Sequence, residues 1–324
     1  MTRVAAVDCG TNSIRLLISD VQPDGTIRDI TRLMEIVRLG EGVDATGEFA
    51  PAALERTRAA LEKYVKQMKF EKVERVRMVA TSASRDASNR EEFFSMTAEL
   101  LGEIQPGARA EVISGDEEAK LSFTGAVADL GRDEAPYCVI DVGGGSTEFV
   151  VGTADGELLG SHSAQMGSVR LTERIMRSDP ATETELEIAR DYVAERMEDV
   201  LKIVPLDQAR TFVGCAGTFT TMSALAQGLE RYDSDAIHGS VLRFDALRVL
   251  IDQILIETSA SLVLNPVIHP GRADVIGGGS MVVQGIIDAV EKVTEARSFV
   301  ISEKDILDGI IAGLAAELAD APTS

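Results

Sequence analysis

The stretch Asp141-Val142-Gly143-Gly144-Gly145-Ser146-Thr147-Glu148-Phe149 sets two carboxylates around a glycine loop, between the apolar runs Tyr137 to Ile140 and Phe149 to Val151. A glycine loop joining two strands lets backbone N–H groups converge without Cβ interference, so it can wrap an anion. Carboxylates at its edges can hold a cation. Together they suit a metal-bound phosphate chain. The design recurs about 130 residues upstream in Val7-Asp8-Cys9-Gly10-Thr11-Asn12-Ser13-Ile14-Arg15-Leu16, where Asp8 and Gly10 correspond to Asp141 and Gly143. The chain reads as two halves facing one ligand.

Three further loops carry polar groups. Thr81 to Ala87 follows a short buried strand and offers hydroxyls and the cation Arg85, where a ligand or a plain capping loop is equally expected. Ser114 to Glu117 spells the Ser-x-x-Glu capping box, which gives Glu117 a helix-start role and leaves Glu118 without one. Phe212 to Thr218 runs from a strand into small residues, suited to close approach of a phosphate or sugar. Arg15, Arg85, Arg170 and Arg272 each lie near a glycine, small or polar cluster and are candidates for a basic channel.

The elements that must position these residues alternate. Arg3 to Val7, Ile14 to Val21 and Ile27 to Leu39 read as antiparallel strands, followed by helices from Pro51 and from Asn89 with a strand at Val76 to Ala80 between them. Ala110 to Ile113 is a strand before the helix carrying Glu118. After the Gly131 to Pro136 linker the topology recurs: Leu158 to Ala164 is a strand, and Thr182 to Val204 a long acidic helix. Helices are then expected over Thr220 to Ala226, Phe244 to Leu264 and Ala273 to Val290. In the last of these, Gly277-Gly278-Gly279 implies close packing or a ligand-facing break. Arg297 to Ile301 is a strand and Ile306 to Leu318 a final docking helix. The alternation predicts α/β folding.

At 324 residues and 45% hydrophobic content the chain suits two domains. The N-terminus enters a strand at once and no apolar run reaches the roughly 18 residues of a membrane span, so a cytoplasmic protein is expected. Cys9, Cys138 and Cys215 are widely spaced within or beside apolar runs, as reduced buried thiols would be. A net charge of −21 argues against nucleic acid or an anionic membrane as partner. It leaves room for a polyanionic substrate in a local basic channel, because screening is effective beyond roughly 8 Å.

Asp8-x-Gly-Thr-Asn-Ser-x-Arg-Leu, Ala80-Thr-Ser-Ala-Ser-Arg-Asp-Ala-x-Asn89, Ile113-Ser-Gly-Asp-Glu-Glu-Ala-Lys-Leu121, Asp141-x-Gly-Gly-Gly-Ser-Thr-Glu148 and Met166-Gly-Ser-Val-Arg-Leu171 together closely resemble the exopolyphosphatase / guanosine pentaphosphate phosphohydrolase (Ppx/GppA) family. The resemblance implies two ribonuclease-H-like domains of the actin-like, sugar kinase and Hsp70 superfamily around a central cleft. Residues 1–122 with a returning helix over 304–324 would form the first, and residues 123–303 the second. It also implies the family's short form: none of His162, His238 or His269 is followed by Asp, as the HD-type domain of longer members would require. Near the end, the family's Gly-Leu-Arg-Glu-Gly pattern is replaced by Ile306-Leu307-Asp308-Gly309, so no basic role is carried over there.

The resemblance implies magnesium-dependent release of orthophosphate from inorganic polyphosphate, with guanosine pentaphosphate as the alternative substrate. Glu118 matches the catalytic glutamate and is expected to be the general base, with Arg85 stabilising transition-state charge. Asp141 and Glu148 are the expected Mg²⁺ ligands, with Asp8 as a water-mediated participant; Glu148 alternatively orients the attacking water. Mn²⁺ in place of Mg²⁺, and a monovalent cation such as K⁺, are further candidates. Phosphates are expected on Gly10, Thr11, Asn12, Ser13 and Arg15, on Gly143, Gly144, Gly145 and Ser146, and along Arg170 and Arg272. A homodimer is implied. A kinase is disfavoured by Glu118, and so is a non-catalytic polyphosphate sensor.

Overall fold

The computed structural model describes residues 1–320, which form two α/β units. Unit 1 comprises Met1–Gly125 and the chain from Ile306 on, and unit 2 comprises Ala126–Asp305.

Unit 1 opens with β1 (Thr2–Cys9), β2 (Ser13–Val21) and β3 (Ile27–Ile36), an antiparallel meander. Then come α1 (Val43–Thr46), α2 (Pro51–Glu71), β4 (Arg75–Ala80), α3 (Ser82–Asp86), α4 (Arg90–Leu101), β5 (Ala110–Val112) and α5 (Gly115–Ala126). Strand order is β3-β2-β1-β4-β5, with β1, β4 and β5 parallel. The central strand β1 is buried on both faces and splits its side chains with period two. Ala5, Val7 and Cys9 join the core with Leu61 and Tyr64 of α2 and Phe93 of α4. Val4 and Ala6 join another, with Ile306, Leu307, Ile310 and Leu314 of the last helix.

Unit 2 repeats the plan with β6 (Tyr137–Val142), β7 (Thr147–Gly152), β8 (Leu158–Ala164), α6 (Ser168–Arg174), α7 (Glu183–Ile203), β9 (Thr211–Cys215) and α8 (Ala216–Ala226). It continues through α9 (Ser234–Ile237), β10 (Val241–Arg243), α10 (Phe244–Ile256), α11 (Ser259–Leu262), α12 (Ile276–Val293) and β11 (Ser298–Ile301), before α13 (Ile306–Asp320) returns to unit 1. Strand order is β10-β11-β9-β6-β7-β8, with β6, β9 and β11 parallel.

Some elements differ from expectation. The single helix expected over Phe244 to Leu264 breaks at Glu257, which is extended, because the Thr258 side chain accepts the Ser261 N–H and caps a new helix. Helix α8 starts at Ala216 rather than Thr220. The glycines of α12 do not interrupt it. A Cβ on Gly278 would lie 2.4 Å from Ser168 O, and one on Gly279 2.7 Å from Thr218 Oγ1, so they are close-packing sites against α6 and α8. Asp308, at the departure from the family pattern, pairs with Arg32 at 2.7 Å.

Candidate active site

In unit 1 the register Cys9↔Ala80 and Ala80↔Val112 brings the C-terminal ends of β1, β4 and β5 to one edge of the sheet. Ligands in open α/β sheets bind at that edge. The loops leaving it carry Gly10 to Asn12, Thr81 to Arg85 and Ile113 to Glu118. Arg85 ties the last two together: its Nη1 donates to Ile113 O at 3.1 Å and to Glu118 Oε2 at 2.7 Å, while its Nη2 is buried without a hydrogen-bond partner. Glu118 is only 9% exposed. Its neighbour is occupied elsewhere. The Glu117 N–H donates to Ser114 Oγ at 3.1 Å, but the Glu117 carboxylate pairs with Arg77 at 2.7 Å, which differs from the reciprocal capping box.

Unit 2 builds an equivalent edge from β6, β9 and β11. Its glycine loop is held from behind by α6. The N–H groups of Ser168, Val169 and Arg170 donate to Gly143 O and Gly144 O, and Arg170 Nε donates to Gly145 O at 2.7 Å. A trans peptide points its N–H opposite its carbonyl, so the amides of Gly144, Gly145 and Ser146 turn away from α6 together. Arg170 therefore acts first as a loop brace. Unit 1 does the same with Val37, Arg38 and Gly40, whose amides donate to Asn12 O and Thr11 O and turn the Asn12 and Ser13 amides outward. The Gly10 and Gly143 N–H groups donate to Ser13 O and Ser146 O, both at 3.0 Å, and close the turns.

Gly167 permits the brace, since a Cβ there would lie 2.5 Å from both the carbonyl carbon and oxygen of Gly144. Gly167→Ala is expected to lower stability by about 1–3 kcal/mol and to weaken tripolyphosphate binding, measured by thermal unfolding and calorimetric titration.

The two hairpins share geometry and differ in charge. Asp8 lies opposite Arg15 in the β1–β2 ladder, and its Oδ2 accepts from Arg15 Nε at 3.1 Å and Nη2 at 2.7 Å. At the corresponding place in the β6–β7 ladder, Asp141 lies opposite Glu148. Directly opposed residues share one face of a sheet, and like charges there are destabilising. Asp141 is 7% exposed and Glu148 1%. Two hydroxyls, Ser146 and Ser163, each donate to Glu148 Oε1 at 2.7 Å. Ser163 was missed in the sequence; its place opposite Glu148 comes from the β7–β8 register.

A divalent cation suits this pair. The donors are all oxygen, and among the described residues no cluster of three or more His, Cys, Asp or Glu side chains forms a protein cage. Mg²⁺ typically takes one or two carboxylates and keeps water and phosphate oxygens for the remainder. Arg272 reaches the same edge of unit 2 at the end of β9, whose Cys215 pairs with Asp141, with its guanidinium over Gly217 and Nη1 3.5 Å from Gly217 O.

Cys9, Cys138 and Cys215 are buried and form no disulfide, and burial pushes the Cys9 and Cys138 thiols far up. The native protein is expected to show no reaction with a disulfide reagent until denatured, and to keep its activity throughout the exposure.

The Ppx/GppA phosphatase family model matches residues 17–315. The chain is 54% identical over 319 residues to exopolyphosphatase 2 of Mycobacterium tuberculosis, covering 97% of this chain and 99% of that protein. Among solved structures, an exopolyphosphatase-like protein superposes with a TM-score of 0.91 at 40% identity, covering 98% of this chain and all of the other. A Ppx/GppA member from Aquifex aeolicus gives a TM-score of 0.77 at 30% identity, over 100% of this chain and 99% of its own. With the repeated hairpins, the braced loops and a family match along nearly its whole length, this chain belongs to the Ppx/GppA phosphatase family.

Proposed function

We propose that the protein is an exopolyphosphatase that hydrolyses the terminal phosphoanhydride of inorganic polyphosphate and releases orthophosphate. The observation carrying the chemistry is the Glu118–Arg85 contact at the loop edge of unit 1. It joins a carboxylate proton acceptor to a cation that still has a buried nitrogen to offer. The substrate class follows from the near full-length likeness to exopolyphosphatase 2. Water oxygen bonds to the terminal phosphorus, the bridging P–O bond breaks toward the shortened chain, and Glu118 takes the proton. Arg85 orients the Glu118 carboxylate and offers Nη2 to the charge that develops on phosphate. In unit 1 the Asn12 and Ser13 amides, and in unit 2 those of Gly144, Gly145 and Ser146, are the donors for phosphate oxygens.

Asp141 and Glu148 would hold Mg²⁺, which when bound neutralises phosphate charge. Asp8 is assigned to orienting Arg15, because Arg15 already offsets its charge. We place the protein in the cytoplasm as a homodimer. Among the described residues no helix is long and apolar enough to cross a membrane.

Orthophosphate release with Mg²⁺ from tripolyphosphate, long polyphosphate, guanosine pentaphosphate and ATP, run in parallel, tests this. Both polyphosphates should be the better substrates. Eight of the ten Phe side chains are buried in the cores and the chain has no Trp, which leaves little ring surface for a guanine base. Preference for guanosine pentaphosphate would overturn the assignment.

A further inference from the structure

Three non-glycine residues among those described have positive φ: Arg38 at 51°, Lys72 at 57° and Ala216 at 65°. Lys72 is the left-handed C-cap of α2, a common helix ending. Ala216 has only a methyl group to offer. Arg38 belongs to neither case. It lies between β3 and α1, and β3 runs in the same direction as β1, so the chain leaves Ile36 at the edge where the Thr11, Thr81 and Ile113 loops emerge.

The surroundings fix this conformation. The N–H groups of Val37 and Arg38 both reach Asn12 O, at 3.1 and 2.8 Å, and the Arg38 carbonyl accepts the Glu41 N–H at 3.1 Å. Arg56 of α2 grips the segment through Val37 O at 2.8 Å and Glu41 Oε2 at 2.7 Å. Two residues on, a Cβ at Gly40 would lie 2.3 Å from Thr11 Cγ2 and 3.1 Å from Ala83 Cβ, so the segment is wedged between two of the site's loops. Glycine or asparagine would adopt the left-handed conformation with less strain than arginine. The chain nevertheless places a half-buried arginine there.

We propose that the Arg38 guanidinium is a phosphate ligand of unit 1, gripping anionic oxygens of the polyphosphate beside the Asn12 and Ser13 amides. The inference rests on the exopolyphosphatase assignment and adds a binding residue to it. A guanidinium suits the task because its planar fork of donors matches phosphate oxygens. The strain is then the means by which a long cation is delivered to an edge where the backbone alone would favour glycine.

Arg38→Gly separates the two roles of the position, since it relieves the backbone and removes the cation. The variant should melt at or above the wild-type temperature. Its KM for tripolyphosphate should rise about 10- to 100-fold, as loss of a charge-assisted hydrogen bond implies, with kcat changing far less. The slope of log KM against log salt should fall by about one, as for loss of one phosphate contact. Arg38→Lys should recover part of the KM. Arg38→Asn, which also tolerates the left-handed region, replaces the glycine variant if that chain fails to fold. A KM within about twofold of wild type and an unchanged salt slope would overturn the inference, because a backbone role alone predicts that result. Wild-type protein that releases phosphate from no polyphosphate overturns the hydrolase assignment instead. Tripolyphosphate binding then decides for Arg38, whose glycine variant must still weaken Kd about tenfold.

Discussion

Glu118→Gln is expected to lower kcat for orthophosphate release by about 10²- to 10⁴-fold while leaving tripolyphosphate affinity within a few fold. Glutamine is nearly isosteric and keeps an oxygen to accept the 2.7 Å bond from Arg85 Nη1, so the guanidinium and the Ile113 carbonyl it also grips should stay in place. What disappears is the proton acceptor. Glu117→Gln is the matched control, because that neighbour serves Arg77 and its side chain is 43% exposed. Single-turnover phosphate release and calorimetric binding separate the two effects. Near-normal turnover in Glu118→Gln, or an equal loss in Glu117→Gln, would remove Glu118 from the role of base.

The second large effect is expected in metal dependence. Asp141→Asn should move the Mg²⁺ midpoint for activity upward by at least about 10- to 100-fold, the range seen when even outer partners of a metal site are lost. Asp8→Asn occupies the matching hairpin position and should behave differently. It removes the anionic half of the Arg15 ion pair, so it should raise KM and leave the Mg²⁺ midpoint nearly unchanged. An unshifted midpoint in Asp141→Asn would count against the metal assignment. The same shift in both variants would count against the division of labour between the hairpins.

The two glycine-loop hairpins were legible because everything that makes them is local. Glycines, strand-forming runs and the recurring Asp-x-Gly spacing all lie within a few residues of each other. The charge difference was also present in the sequence, as Arg15 against Glu148, but its meaning needed the ladder that sets each opposite an aspartate. Other features depended on distant partners. The Glu117 carboxylate is drawn from its cap by Arg77, 40 residues away. Ser163 reaches Glu148 only through the β7–β8 register. Arg38 carried no visible signal, since the contacts that enforce its left-handed backbone come from Asn12 and α2. The break in the expected helix after Ile256 lay hidden because apolar periodicity ran on past the Thr258 cap.

The return of α13 to unit 1 bears on how the chain is made. Val4, Ala6, Leu17 and Val79 are all synthesised before the midpoint of the chain, yet the core they belong to also needs Ile306, Leu307, Ile310, Ile311 and Leu314. A domain with a continuous sequence can fold as it leaves the ribosome, whereas one completed by a segment that follows another domain must wait for it. Unit 2, continuous from Ala126 to Asp305, is therefore the part able to mature first. During that interval the α13-facing side of β1 and β2 is apolar and uncovered.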